Sequence, residues 1–281
     1  MATVEQAKWK VEYYWTESSG LSLAECQFNN VPVLYSASVP FVYVNYIGGA
    51  FGPFTDELKS LSGNIEVREI VHGFDLKVTY DHYGEDYQYN HIWRFHADGQ
   101  FGSSIVIQGP GEEINGRHTY HLPWRFDLDI GGAAGDSFQR WSKAGTAGGF
   151  WEDVQTEGRY TPNSAGWRYD WQVIDRATDR RAMVRAGERD SGEIWPIQYS
   201  DVENWSSWGG AQPRAPGSPG SVPAVYAGGQ SVQEADLVVW YIAHVSSRHL
   251  PASCGPWFKL EGFGDVDLGE DHHHEHDEDH H

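Results

Sequence analysis

The residues best suited to chemistry gather at a few places along this chain. The final stretch, Glu270–His281, holds six histidines and six acids. Neutral imidazole and carboxylate are ligands for borderline divalent metals, so this segment reads either as a metal collector or as a purification tag, although acids interrupt the histidine run. Further in stand His118-Thr119-Tyr120-His121, then His244 and His249, and upstream Asp86-Tyr87-Gln88-Tyr89. Imidazole, phenol and carboxylate supply metal ligands together with proton donors and acceptors. Asp56 sits in Phe54-Thr55-Asp56-Glu57, while Arg125, Asp127 and Asp129 alternate just beyond the first histidine cluster. Other signatures are missing: no glycine-rich phosphate loop opens a helix, no cysteine pairs have zinc spacing, and no Gly-x-Ser-x-Gly elbow occurs.

Such groups need a scaffold, and composition points to strands. The 281 residues include 13 Trp and 15 Tyr, which favour strands, and 32 Gly with 13 Pro, which favour turns. Alternating apolar residues predict strands at Trp9–Trp15, Leu21–Phe28, Val31–Tyr35, Phe41–Tyr46, Ile65–Val71, Phe74–Tyr80, Tyr87–His96, Gln100–Gln108 and His118–Ile130. Weaker patterns mark Gly158–Tyr160, Arg168–Ile174 and Ala182–Arg185, and clearer ones Ile194–Tyr199, Asp236–His244 and Trp257–Phe263. The expectation is all-β: roughly a dozen short strands in one large β-sandwich with long loops. It spans 5–268, and a disordered tail follows at 269–281. Gly209 to Gln230 turns to Gly, Pro, Ser and Ala and reads as a surface excursion or arm.

Three stretches, in order, resemble the copper amine oxidases. Asp86-Tyr87-Gln88-Tyr89, followed by Trp93, Phe95 and Gly99, is similar to that family's Asn-Tyr-acid-Tyr motif and the Trp-x-Phe and turn after it. His118-Thr119-Tyr120 with Arg125, Asp127, Asp129 and Gly132 is similar to its His-x-His followed by Arg-x-Asp-x-x-x-Asp-Gly. Asp236–Tyr241, His244, His249 and the Pro-Trp-Phe-Lys-Leu close form the third. The likeness runs over about Trp9–Asp265 and implies a trimmed, divergent version of the catalytic sandwich.

In that family three imidazoles hold copper, which with dioxygen converts a nearby tyrosine to a quinone. The quinone oxidises a primary amine, and an aspartate takes the α-proton. The resemblance puts Tyr87 at the quinone position, where Asp86 and Gln88 depart from the pattern. His118 takes the place of the first copper ligand. The second ligand falls at Tyr120, so either its phenolate approaches the metal or a bulge near Pro123 swings His121 inward. The third falls at Ser247, flanked by His244, which prolongs the strand, and by His249. Asp56 is the candidate base, with Asp75 and Asp81 read as solvated strand ends and Arg125, Asp127 and Asp129 as an internal brace.

The formal net charge of −20 argues against nucleic acid; it serves solubility, and a cationic substrate would also gain from the field. No charged start followed by an apolar run occurs at Met1–Lys10, and no stretch is long enough to cross a bilayer, so no membrane role and a cytoplasmic location are expected. Cys26 and Cys254 are too few for a disulfide framework. The resemblance further implies a homodimer with exchanged arms. Two other readings stand beside a copper oxidase. One is a metal-assisted reaction on a small organic substrate without a quinone, and the other is a metal-binding protein with no catalysis.

Overall fold

A computed structural model describes residues 1–16, 20–46, 54–56, 58, 64–81, 88–109, 117–143, 148–162, 169–188, 190–200, 223 and 226–264. Among them there is no α-helix, and two antiparallel sheets carry the structure. With strands numbered in chain order, the first sheet contains β1 (Ala2–Gln6), β2 (Trp9–Thr16), β3 (Gly20–Phe28), β4 (Val31–Ser38), β5 (Val42–Tyr46), β6 (Phe54–Asp56), β11 (His118–Leu128), β16 (Glu193–Gln198) and β17 (Leu237–Ser246). The second contains β7 (Glu66–Ile70), β8 (Gly73–Asp81), β9 (Gln88–His96), β10 (Gln100–Gln108), β12 (Asp136–Lys143), β13 (Gly149–Asp153), β14 (Trp171–Asp175), β15 (Arg180–Arg185), β18 (Ala252–Cys254) and β19 (Trp257–Glu261). A 3-10 turn, Ser247–His249, follows β17.

The local chemistry of the chain accounts for much of this. Asn29 and Asn30 carry φ of 50° and 63°, the left-handed pair that a two-residue hairpin requires, so β3 turns directly into β4. Large rings fill the space between the sheets: Trp9 of the first packs against Phe95 and Phe101 of the second, and Phe126 against Trp93 and Phe258. A buried polar thread joins the two layers as well. Trp124 Nε1 donates to Ser103 Oγ at 2.8 Å, Ser103 meets His91 Nε2 at 2.8 Å, His91 Nδ1 meets Tyr80 Oη at 3.1 Å, and Tyr80 Oη accepts from the Leu21 N–H at 2.9 Å. A neutral imidazole donates at one nitrogen and accepts at the other, so this thread is satisfied without charge. Burial pushes the His91 pKa down to about 3, which keeps the ring neutral.

The sequence underestimates the strand count. Ala2–Gln6, Phe54–Asp56, Asp136–Lys143, Gly149–Asp153 and Ala252–Cys254 are strands that it does not announce. Each is short, or polar at positions that face solvent, so partner strands define it more than its own pattern. Conversely, Gly158–Tyr160 makes only a single bridge, Tyr160 to Ile194. Asp75 is no solvated strand end either: it is buried on β8 and holds Arg94 through two bonds of 2.6 and 2.7 Å. The Asp81 side chain and the segments 201–222 and 265–281, which include most of the expected arm and the whole acidic-histidine tail, lie outside the described residues.

Strand β11 positions most of the candidate site residues. It pairs with β17 from Thr119 to Leu128 in unbroken register, and on its other edge with β5 and then β4. Pro123 falls at the changeover between β5 and β4, where that edge has no partner to bond. No bulge swings the strand at Pro123. Tyr120, Leu122, Trp124, Phe126 and Leu128 therefore face the inter-sheet core, and Thr119, His121, Pro123, Arg125 and Asp127 face the other way.

Gly255 carries φ of 136°, and a Cβ there would stand 2.1 Å from the Ser103 carbonyl oxygen. Gly255→Ala is expected to lower the urea unfolding midpoint, with a loss of roughly 2–4 kcal/mol from backbone strain and overpacking. An unchanged midpoint contradicts this packing of β10 against the 252–257 segment.

Candidate functional site

On the inner face, at the end of β11 that pairs with β5, a buried polar cluster forms. His118 Nε2 meets Tyr120 Oη at 2.9 Å, as alternate residues on one face allow. The Tyr46 ring stacks on His118 with centroids 4.9 Å apart. Ser247 Oγ accepts from the His118 backbone N–H at 3.1 Å. From the opposite sheet, Tyr89 places its ring edge-on to Tyr120 at 6.4 Å and donates its hydroxyl to Asp56 Oδ2 at 2.7 Å. Asp56 reaches this place because β6 pairs with β5, Val42 opposite Asp56. His118, Tyr120, Tyr89, Asp56 and Ser247 are all buried.

The remaining predicted histidines do not join them. His121 and His244 are direct cross-strand partners and lie on the opposite face of the sheet from His118, because three residues along a regular strand reverse the side. Their Nδ1 atoms are 2.6 Å apart. Behind His244, Glu193 Oε2 stands 3.5 Å from its Nε2, and Glu193 Oε1 accepts from Trp195 Nε1 at 2.9 Å. Arg159 also pairs with Glu193. Burial pushes the Glu193 carboxyl up, but bonds from His244 and Trp195 and the charges of His244 and Arg159 outweigh it and hold it below the usual range. Burial, helped by the His244 charge, pushes His121 down to about 3. His249 is exposed at the end of its 3-10 turn. Tyr87 lies outside the described residues.

A third group sits at the far end of β11. Asp127, Asp129 and Asp236 bring carboxylate oxygens within 4.8 Å of one another, the only group of three His, Cys, Asp or Glu ligands that close among the described residues. Carboxylates alone suit hard cations rather than copper. Arg125 offsets part of this charge through Asp127 at 3.2 Å, which is the Arg125–Asp127 part of the expected brace. Burial, then Asp127 and Asp236, push Asp129 up to about 6. Burial pushes Asp136 up to about 8, against a bond from the Ile130 N–H, with Asp175, Asp129 and Asp236 adding to it.

Of the candidate metal ligands, only His118 and Tyr120 thus come together, one imidazole and one phenol, with Ser247, at the family's third position, bonded to the His118 backbone. Copper in a three-imidazole centre needs three rings aimed at one point, whereas His121 and His244 lie on the opposite face of the sheet from His118 and His249 is exposed. Among the described residues, the candidate ligands do not fit that centre. Sequence reasoning also missed two residues here. Tyr89 stood within the motif around Tyr87 without a role of its own, and Glu193 became visible only when β16 was laid beside β17.

The architecture is that of the amine-oxidase β-sandwich. A copper-containing benzylamine oxidase from Hansenula polymorpha superposes with a TM-score of 0.69 at 12% identity, covering 94% of this chain and 60% of that one. An amine oxidase from Aspergillus nidulans gives 0.64 at 14% identity, over 92% and 51%. A lysyl oxidase from Pichia pastoris gives 0.59 at 12%, over 93% and 52%. The chain thus spans half to three-fifths of the length of these solved structures, as the trimmed resemblance anticipated, and at such identity the likeness establishes the fold. No family model matches the sequence, and no curated protein sequence is similar to it.

The raised acids set a pH dependence. An acid whose folded pKa exceeds its unfolded value destabilises the fold when charged, fully so above the folded pKa and not at all below the unfolded one. In the presence of a chelator, Asp136→Asn is expected to raise the melting temperature most above about pH 8, with the gain vanishing toward about pH 4. A gain that is the same at both ends of that range, or a loss at the alkaline end, contradicts the assignment.

Proposed function

We propose that this chain binds a small organic amine at the inner-face cluster and handles it by ion pairing and proton transfer, without a three-imidazole copper centre. The observation that carries the reading is the composition of that cluster: a buried carboxylate, Asp56, held by Tyr89 beside a single imidazole–phenol pair, His118 and Tyr120. An ammonium group would compete with the Tyr89 hydroxyl for Asp56 and gain a full charge pair. The faces of Tyr46, Tyr89 and Tyr120 offer additional attraction for a cation. His118 and Tyr120, already bonded, can pass a proton between ring nitrogen and phenol oxygen. The net charge of −20 favours approach of a cation over that of an anion.

The amine is proposed from two independent supports: this donor set and the fold shared with proteins that carry the name amine oxidase. The oxidase reading itself places a quinone at Tyr87 and copper at His118, and it makes its own demand on experiment. After incubation with copper and dioxygen, the intact mass would rise and phenylhydrazine would give a coloured adduct.

Calorimetric titration with benzylamine, and with benzyl alcohol as the neutral control, tests the proposal. Benzylamine is expected to bind and benzyl alcohol not, and Asp56→Asn is expected to weaken benzylamine by about tenfold or more. Equal affinity for the two ligands, or an unaltered affinity in the Asn variant, sinks the reading. A phenylhydrazine adduct at Tyr87 replaces it with the oxidase.

A further inference from the structure

The histidines that leave the inner cluster form an arrangement of their own. His121 and His244 face each other across two adjacent, registered strands of the first sheet, β11 and β17, the latter flanked by the edge strand β16, Nδ1 to Nδ1 at 2.6 Å. Their rings are 4.8 Å apart at 70° to one another. Glu193 lies behind His244, 3.5 Å from Nε2. A carboxylate in that position keeps the proton of a neutral imidazole on Nε2, so the Nδ1 lone pair of His244 points toward His121. His121 Nε2 is buried and makes no hydrogen bond with a described residue. With its proton on Nδ1, His121 shares it with His244 and leaves a buried acceptor unused. With its proton on Nε2, it leaves a buried N–H unused and sets two lone pairs against each other. Both states are costly, and the second is relieved by a cation placed between the Nδ1 atoms.

We propose that His121 and His244 form a binding site for a borderline divalent cation, Cu2+ or Zn2+, on the face of the sheet opposite the Asp56–His118 cluster. Two neutral imidazoles supply Nδ1 ligands, and Glu193 orients His244 and balances part of the added charge. Trp195 and Arg159 fix Glu193 in turn, so the orienting carboxylate is held from two sides. The His244 side chain is 19% exposed, which gives the ion an entry and leaves room for water to complete its shell. Metal–nitrogen distances of about 2.1 Å at angles of about 90–109° require the two Nδ1 atoms to part from 2.6 Å by roughly 0.4 to 0.8 Å, within reach of rotations of the two rings. The usual affinity order makes Cu2+ the tighter of the two. This site does not rest on the amine reading, since it shares neither residues nor face with it.

Thermal unfolding of the full chain, with Cu2+ or Zn2+ alone added and then removed by chelator, tests this. An ion held only by the folded state raises the melting temperature as its concentration increases. The rise is expected in the wild-type chain and in His118→Ala, and is expected to vanish in His121→Ala and His244→Ala. Glu193→Gln is expected to weaken the apparent affinity about tenfold or more. No rise in the wild type, a rise that survives in His244→Ala, or a rise lost only in His118→Ala overturns the site. If the alanine variants fail to fold, crystals of the wild-type chain grown with Zn2+ decide. Anomalous scattering bonded to both Nδ1 atoms supports the site, and its absence there overturns it. Benzylamine titration of the same samples keeps the two readings apart, because His244→Ala leaves the Asp56 cluster untouched.

Discussion

Strand β11 runs eleven residues without a bulge against β17, and the placing of every candidate group follows from that regularity. In a pleated strand the side chain changes face at each residue, so a histidine two positions from another shares its side and one three positions away does not. The spacing from His118 to Tyr120 and His121 therefore sends the phenol inward beside the imidazole and the second imidazole outward. A single extra residue at Pro123 would have reversed the outcome. The chain avoids it by setting Pro123 where one edge of β11 changes partner, so the proline is accommodated without distortion.

Two electrostatic environments result from one strand. On the inner face, buried polar groups have hydrogen-bond partners: His118 with Tyr120, Asp56 with Tyr89, His91 with Tyr80 and Ser103. Such matching lets ionisable groups sit in a low-dielectric core. At the far end of the sandwich carboxylates outnumber their partners, and burial with mutual repulsion raises Asp129 and Asp136. An acidic chain accepts that cost locally while its field draws cations toward the whole molecule.

The relation to the solved amine oxidases is one of shared architecture: the two-sheet frame is common to them, and on it the described residues of this chain set one imidazole beside one phenol, His118 and Tyr120. Fold and site chemistry vary separately, since the frame depends on alternating apolar residues and the site on the identity of a few polar ones.

Much of this was legible in the residues alone. Alternation placed most of the long strands, the aromatic content announced a thick core, and the ordered motifs around Tyr89, His118 and Trp240 indicated the sandwich, because each of these signals is local. The resemblance set Tyr120 and Ser247 at two of the three ligand positions and left His121, His244 and His249 as alternatives. What the linear order left open was pairing: that Asp56 meets Tyr89 from the other sheet, that Glu193 stands behind His244, that Asp75 is locked to Arg94. Above all it left open the face to which His121 and His244 turn. Those facts depend on register and on which strands become neighbours, and both are decided by packing across residues far apart in the chain.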